Sequence, residues 1–175
     1  LKEMDYVISD NFCTPKKDER FFTEKILRMK NIWCTYSLSV IENLNLKKEN
    51  NLEPFIIYGC FQRPEKISRK VLSTWVNILI RVKKSKIFFV NQSFNEYDKK
   101  KLISYFYNKG VSSKRLTFIQ PQNRRQYLNY YNLVDINLDT FPYNGGTTLF
   151  ESSFMGVPTL TKENNSFMFR CGESI

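Results

Sequence analysis

The sequence predicts an α/β fold in which helices flank a parallel sheet, and two observations lead to this prediction. Short, continuous apolar runs occur at residues 55–59 and 87–90, and such runs are typical of strands buried on both faces of a sheet. Longer segments with apolar residues at helical spacing lie between and after these runs. Strand and helix therefore alternate from residue 55 to residue 161, so the strands should run parallel and be joined by right-handed crossovers.

The first 50 residues have the weakest periodicity of the chain. We expect a short strand at residues 6–8, a helix at residues 20–29 and another short strand at residues 32–36. Residues 44–53 are polar and rich in Asn and Lys, which is typical of a linker.

The next elements follow in regular order up to residue 131. Ser68 should cap a helix that carries apolar residues on one face. We expect a second helix at residues 95–109, ended by Gly110, then a strand at residues 115–119 and a short helix at residues 124–131.

The pattern of residue types at 134–161 predicts a strand, a glycine turn, a helix and a further strand. Apolar and polar residues alternate at 134–139, and a proline and two glycines then break the pattern. Thr147 is positioned to cap a helix that Gly156 ends. A helix that starts behind two glycines, just past the carboxyl end of a strand, offers unpaired N–H groups and a positive dipole end. This segment is therefore a candidate site for an anion.

Glu151 lies one turn into the same predicted helix. Its carboxylate could accept hydrogen bonds from a pair of vicinal hydroxyls, and a phosphate beside a diol describes a nucleotide. An ordinary βαβ crossover with a tight loop explains the pattern of residue types equally well.

The segment DTFPYNGGTT at residues 139–148, with Glu151 and the MGVP segment at residues 155–158, resembles the signature of a known family. This is the O-GlcNAc transferase and SPINDLY-like family of tetratricopeptide-linked protein glycosyltransferases, and the resemblance extends over nearly the whole chain. It implies the Rossmann-like C-terminal lobe of a GT-B glycosyltransferase, which holds a nucleotide-sugar donor, usually UDP-GlcNAc.

The resemblance also implies a division of the chain. Residues 1–50 would form the end of the N-terminal catalytic lobe and the interlobe linker, and residues 51–175 a truncated donor-binding lobe. The chain begins with Leu, so we expect a fragment that is inactive alone. The groups that face the protein acceptor, and the tetratricopeptide array that grips it, would lie upstream, and the transferred sugar (GlcNAc, fucose or another) stays open.

Carried over to this sequence, the resemblance implies a catalytic role for Lys66, whose charge would neutralise the UDP leaving group. Arg63 stands at a position that often holds a polar nucleotide contact. Arg124 matches a Lys near the uracil and phosphate, and Tyr127 replaces a His that stacks on the base. Lys66 and Glu151 should both project into a solvent-filled cleft.

The glycine turn completes the implied donor site. Its backbone and hydroxyl groups would bind the phosphates, Gly146 replaces a His found in the animal enzymes, and Glu151 would hold the ribose. The turn residues implied to bind the UDP-sugar are Asn144, Gly145, Gly146, Thr147 and Thr148.

The charge of the chain supports an alternative of another class. There are 27 Lys and Arg residues against 17 Asp and Glu, a net charge of +10. With many Tyr and Phe side chains available for stacking, this composition is compatible with a non-enzymatic basic module that binds nucleic acid. The basic residues are scattered along the chain, however, which favours a solvated surface and no nucleic-acid partner.

Composition gives no indication of a metal site or a cofactor. The chain has no His, and its four Cys residues match no zinc spacing. Acidic residues at 135 and 139 share one face of a strand by simple alternation. We therefore expect no metal and no cofactor, the UDP-sugar being a substrate. Widely spaced thiols suggest a cytoplasmic protein, and no apolar run is long enough to cross a membrane.

Overall fold

The computed structural model describes residues 3–37, 44 and 55–175. The predicted linker at residues 44–53 lies outside the described residues except for Leu44.

The described residues near the start of the chain form a small sheet. Strand β1 (Tyr6–Ser9) pairs in parallel with β2 (Lys25–Arg28), and a 3₁₀ helix, Lys16–Phe21, connects them. The predicted strand at residues 6–8 is confirmed. The predicted helix at residues 20–29 is wrong, because β2 satisfies its backbone groups against β1 rather than within a helix.

The predicted strand at residues 32–36 is also wrong, since this segment is irregular. The backbone N–H of Trp33 donates to a carboxylate oxygen of Asp10 at 2.9 Å. The buried Asp10 side chain also accepts hydrogen bonds from the backbone of Phe12 and Cys13. The carboxylate thus provides a partner that a neighbouring strand would otherwise supply.

Within the residues that the structure describes, the main sheet has five parallel strands, as the alternation predicted. In the chain these are β3 (Ile56–Cys60), β4 (Ser85–Val90), β5 (Leu116–Ile119), β6 (Ile136–Leu138) and β7 (Thr159–Leu160). In space their order is β5-β4-β3-β6-β7. The chain therefore moves outward from β3 in one direction and returns to the other side of β3 with β6.

The helices between residues 69 and 154 begin and end close to their predicted positions, whereas the short helix at residues 171–174 was not predicted. Ser68 accepts a hydrogen bond from the Val71 N–H at the start of the first helix, and Asn95 forms a reciprocal capping box with Asp98 at the start of the second. Gly110 and Gly156 have φ angles of 83° and 71°, which a side chain would strain. The helices are α1 (Arg69–Arg81), α2 (Glu96–Tyr107), α3 (Arg124–Asn129), α4 (Thr147–Phe154) and α5 (Cys171–Ser174).

Apolar side chains bury both faces of the main sheet. On one face, residues such as Trp75 of α1 and Phe106 of α2 pack against Phe89 of β4. On the other face, Leu128 and Met155 pack with Ile57 of β3. No helix within the described residues is long and apolar enough to cross a membrane.

The segment before residue 38 packs against the end of the chain. The Arg170 guanidinium, 2% exposed, binds Asp18 at 2.5 Å, and the rings of Trp33 and Phe167 meet edge to face at 5.0 Å. The first contact ties the 3₁₀ helix between β1 and β2 to the end of the chain, and the second does the same for the irregular segment after β2. The division at residue 50 stays a prediction.

The strand order reverses between β3 and β6. In open parallel sheets, the crevice beyond the carboxyl ends of two such strands is where ligands bind. The loops after β3 and β6 carry Lys66 and the glycine turn, so the topology brings together two segments that the sequence separates by about 80 residues.

Candidate functional site

A cleft of about 750 Å³ opens at this reversal point. The loops after β3, β4, β5 and β6 all contribute to its walls, as expected for a crevice at the carboxyl edge of a parallel sheet. The predicted site residues that line it are Arg63, Lys66, Arg124, Tyr127, Gly146, Thr147, Thr148 and Glu151.

Lys66 is positioned by a 3₁₀ turn, Pro64–Lys66, directly after β3. Its ammonium group donates to the backbone carbonyl of Asn144 at 2.8 Å and to the side chain of Gln62 at 3.3 Å. It lies 4.1 Å from the ring centroid of Tyr143. Burial lowers the pKa of Lys66, although the nearby Asp139 carboxylate opposes this change. Lys66 thus lies half-buried in the cleft wall as a fixed cation near the start of α4.

Asp139 organises the glycine turn, although its position in the sequence was attributed to strand alternation alone. Its carboxylate accepts hydrogen bonds at 2.8 Å from the backbone N–H groups of Thr140 and Gly145, and from the hydroxyl of Thr161. Burial raises the pKa of this carboxyl, and these hydrogen bonds partly offset the increase. A carboxylate just past the end of β6 is the local signal that could have indicated this role.

Gln62 joins the two loops and was missed by the sequence analysis. Its buried side-chain amide donates to the Thr148 hydroxyl at 2.6 Å and to Asp139 at 3.3 Å. A polar residue two positions after a buried strand carries no local pattern that distinguishes it from a loop residue. The role of Gln62 follows only from the contact between the loops after β3 and β6 in the folded chain.

The two glycines of the turn have different roles. A Cβ at Gly145 would collide with the Gln62 amide and the Thr148 hydroxyl, whereas a Cβ at Gly146 would meet nothing within 4 Å. Gly145 is therefore required for close approach of the two loops, and Gly146 leaves open space in the cleft wall.

Helix α4 begins at Thr147. Its N-cap residue is Gly146, so no side chain caps the helix start. The predicted Thr147 cap is therefore displaced by one residue, because the tight turn ends at the second glycine. Gly146, Thr147 and Thr148 line the cleft, and the first N–H groups of a helix have no partner within it. The arrangement suits an anion in the cleft.

Asn144 does not line the cleft. Its buried side-chain amide donates to the Thr140 carbonyl at 3.0 Å and lies 3.3 Å from the Thr161 hydroxyl. The carbonyl of Asn144 accepts the hydrogen bond from Lys66. Asn144 thus supports the turn and the Lys66 side chain, and its predicted direct contact with a ligand stays a prediction.

Glu151 lines the cleft, but it does not project freely into solvent as predicted, because the whole residue is buried. One carboxylate oxygen, Oε1, accepts a hydrogen bond from Arg124 in an ion pair and another from the Tyr36 hydroxyl at 3.0 Å. The other oxygen, Oε2, is buried without a hydrogen-bond partner. Because such an atom is costly to leave unpaired, Oε2 is the acceptor that a bound ligand could satisfy.

Tyr127 forms an aromatic part of the cleft wall. It is half-buried, meets Phe61 edge to face at 5.5 Å, and lies under the Arg124 guanidinium at 5.1 Å. Burial raises the pKa of Tyr127 to about 12, so the phenol is neutral at physiological pH. The exposed Arg63 side chain completes this edge of the cleft.

The described residues contain no cluster of three or more His, Cys, Asp or Glu that could hold a metal ion. The Asp139 carboxylate beside the turn already accepts hydrogen bonds from the turn backbone. The expectation that no metal takes part stays a prediction.

Comparisons with known proteins agree with this geometry. A family model described as glycosyl transferase family 41 matches residues 47–174. The rice (Oryza sativa subsp. japonica) protein "Probable UDP-N-acetylglucosamine--peptide N-acetylglucosaminyltransferase SPINDLY" is 30% identical over 100% of this chain and 19% of its own length. The Arabidopsis thaliana protein of the same description with the name SEC is 25% identical over 90% of this chain and 17% of its own length. The chain thus spans about a fifth of the length of these relatives.

Solved structures confirm the predicted fold class. A mutant of the O-GlcNAc transferase of Thermobaculum terrenum matches with a TM-score of 0.88 and 28% identity, over 99% of this chain and 33% of that protein. The pneumococcal O-GlcNAc transferase GtfA, solved in complex with UDP and GlcNAc, matches with a TM-score of 0.51. At 13% identity over 93% of this chain and 31% of that protein, the second match concerns the fold alone.

The predicted resemblance is therefore confirmed by two independent lines, the family model and the solved fold. The family match covers the main sheet, the glycine turn and every predicted site residue. This chain belongs to glycosyl transferase family 41.

Proposed function

We propose that this chain binds the nucleotide-sugar donor of an inverting protein O-glycosyltransferase, with UDP-GlcNAc as the expected donor. The observation that carries the proposal is the convergence of Lys66, the start of α4 and a buried, unpaired oxygen of Glu151 on one cleft. The names of the relatives support it, since they give UDP-N-acetylglucosamine as the donor and a peptide as the acceptor.

The diphosphate would lie against the start of α4. The backbone N–H groups of Gly146, Thr147 and Thr148 are available there as donors, and the positive end of the helix dipole attracts negative charge. Gly145 would act through the shape of the turn, because it has no room for a side chain. This part of the cleft would bind the diphosphate, which is present both in the donor and in the nucleoside diphosphate that is released.

Lys66 would stabilise the negative charge that grows on the diphosphate as the glycosidic bond breaks. Its ammonium group is already fixed by the Asn144 carbonyl and by Tyr143, so little reorganisation is needed during the reaction. A fixed cation placed where charge develops is usually the largest electrostatic contribution to catalysis.

The nucleoside would lie between Glu151 and Tyr127. The free oxygen of Glu151 would accept a hydrogen bond from the ribose hydroxyls, and the Tyr127 ring would stack on the base. Arg124 and Arg63 would contribute positive charge near the base and phosphates. Arg124 must partly exchange its contact with Glu151 for one with the ligand.

The protein acceptor would be bound by regions that complete the longer relatives, since this chain spans about a fifth of their length. We therefore expect donor binding without transferase activity from this chain alone. A cytoplasmic location stays part of the proposal. No observation favours the nucleic-acid alternative, and three basic side chains, Arg63, Lys66 and Arg124, line the proposed donor cleft.

We expect UDP to bind the folded chain in the millimolar range, because the donor cleft lacks the opposing lobe. Calorimetry or ligand-observed NMR measures this binding, and circular dichroism verifies the fold. A competition series with GDP, CDP and ADP should show that UDP binds most tightly, and preference for GDP would indicate a GDP-sugar donor instead. No detectable binding of any nucleoside diphosphate by folded protein would refute the proposed donor site.

We expect UDP binding to be independent of divalent metal ions, because Lys66 and the start of α4 already supply positive charge at the diphosphate position. Titrations with EDTA present should give a UDP affinity at least equal to that measured with Mg²⁺ or Mn²⁺. Binding that appears only after a divalent ion is added would show that the cationic site is incomplete.

A further inference from the structure

Tyr36 contacts the proposed donor site from a distant part of the sequence. It lies in the irregular segment after β2, and its ring stacks on Phe150 of α4 with centroids 5.7 Å apart and planes inclined by 14°. Its hydroxyl reaches the carboxylate of Glu151, which is 115 residues away in the chain. No pattern in the sequence indicated a role for Tyr36.

Three side chains form a closed set of hydrogen bonds. The Tyr36 hydroxyl donates to Glu151 Oε1 at 3.0 Å, and Arg124 donates both to the Tyr36 oxygen, at 2.8 Å, and to the same Oε1. One oxygen of the carboxylate is thus held by two donors from different segments. Its other oxygen, Oε2, is buried and has no hydrogen-bond partner.

Tyr36 differs from the other two members of this set because it does not line the cleft, whereas Glu151 and Arg124 do. Any effect of its hydroxyl on a ligand must therefore pass through one of them. The Arg124 side chain is 39% exposed, whereas the Glu151 side chain is 1% exposed. If Arg124 turned toward a ligand, the Tyr36 hydroxyl would remain as a donor to Glu151 Oε1.

We infer that Tyr36 is a positioning residue for the donor site, and that its hydroxyl orients Glu151 so that Oε2 accepts a hydrogen bond from the ribose diol. The inference rests on the proposed function and adds to it a residue from outside the main sheet. A carboxylate held in its binding orientation loses less conformational freedom when the ligand arrives. Removal of the Tyr36 hydroxyl should therefore weaken the binding of only those ligands that have ribose hydroxyls.

Tyr36→Phe is the variant that isolates this role, because it keeps the ring and its stack on Phe150 and removes one oxygen. UDP and 2′,3′-dideoxy-UDP are titrated by calorimetry or ligand-observed NMR against the 175-residue chain and the variant. We expect Tyr36→Phe to weaken UDP binding about tenfold, the effect of one hydrogen bond to a charged group. Binding of the dideoxy nucleotide should be the same in both proteins.

Tyr107→Phe is the matched control. It makes the same chemical change at a residue that is 69% exposed at the end of α2, and it should leave both affinities unchanged. Circular dichroism verifies that all three proteins have the same fold.

Three results would overturn the inference. If the unmodified chain prefers UDP to the dideoxy nucleotide but Tyr36→Phe does not reduce this preference, Tyr36 does not position Glu151. Equal weakening of both nucleotides by Tyr36→Phe would show that the hydroxyl acts on the general packing of the cleft. If the unmodified chain binds both nucleotides equally, the ribose role proposed for Glu151 fails, and the inference fails with it.

Discussion

Lys66→Ala is expected to reduce kcat by about 10²–10³-fold in an active enzyme that contains this chain, the usual cost of removing one preorganised electrostatic donor. The reason is that Lys66 faces charge that increases only as the diphosphate leaves. KM for the donor should change less, because the start of α4 still binds the ground-state diphosphate. Steady-state kinetics with varied UDP-sugar concentration separates the two parameters.

Two variants make this result specific. Lys66→Arg keeps the positive charge and should retain more activity than Lys66→Ala. Lys70→Ala removes an exposed lysine on α1 and should leave kcat unchanged. A kcat for Lys66→Ala within about twofold of the parent enzyme, a barrier change of only about 0.4 kcal/mol, would show that Lys66 does not stabilise the leaving group.

Asp139→Ala is expected to lower the free energy of unfolding by about 3 kcal/mol, because two backbone N–H groups and one hydroxyl lose their shared acceptor in a buried turn. The change in urea midpoint at constant m-value measures this loss. UDP binding should weaken as well, since the same turn sets the position of Gly145 and the start of α4.

Asp139→Asn keeps one acceptor oxygen and should cost less than Asp139→Ala. Asp5→Ala is the surface control, since Asp5 is exposed before β1 and its replacement should change stability by less than about 0.5 kcal/mol. If Asp139→Ala lowers stability by no more than the Asp5 variant, the turn does not depend on this carboxylate.

The predicted elements that the structure confirms have strong local signals. Parallel strands β3 and β4 are continuous apolar runs, and α1 and α2 have both helical periodicity and a capping residue, Ser68 or Asn95. Residues close in sequence decide such elements, because their hydrogen bonds and their apolar faces repeat with a short period. The same locality made the glycine turn and the helix that follows it predictable.

The predictions that failed concern segments whose partners lie far along the chain. Residues 20–29 have helix-compatible apolar spacing, yet β2 forms because β1 offers a parallel partner. Residues 32–36 look like a strand, yet the Asp10 carboxylate takes the N–H of Trp33. In both cases a tertiary partner outweighed a weak local preference.

The sequence by itself determined the α/β class, the glycine turn in front of a helix and the family, because each depends on residues close together in the chain. Only the tertiary structure decided how the site is held: Asp139 beneath the turn, Gln62 between two loops, and Tyr36 behind a buried Glu151. These contacts join residues 6 to 115 positions apart. Side-chain hydrogen bonds at such irregular separations leave no period in the sequence, so their partners become known only when the strands and loops come together.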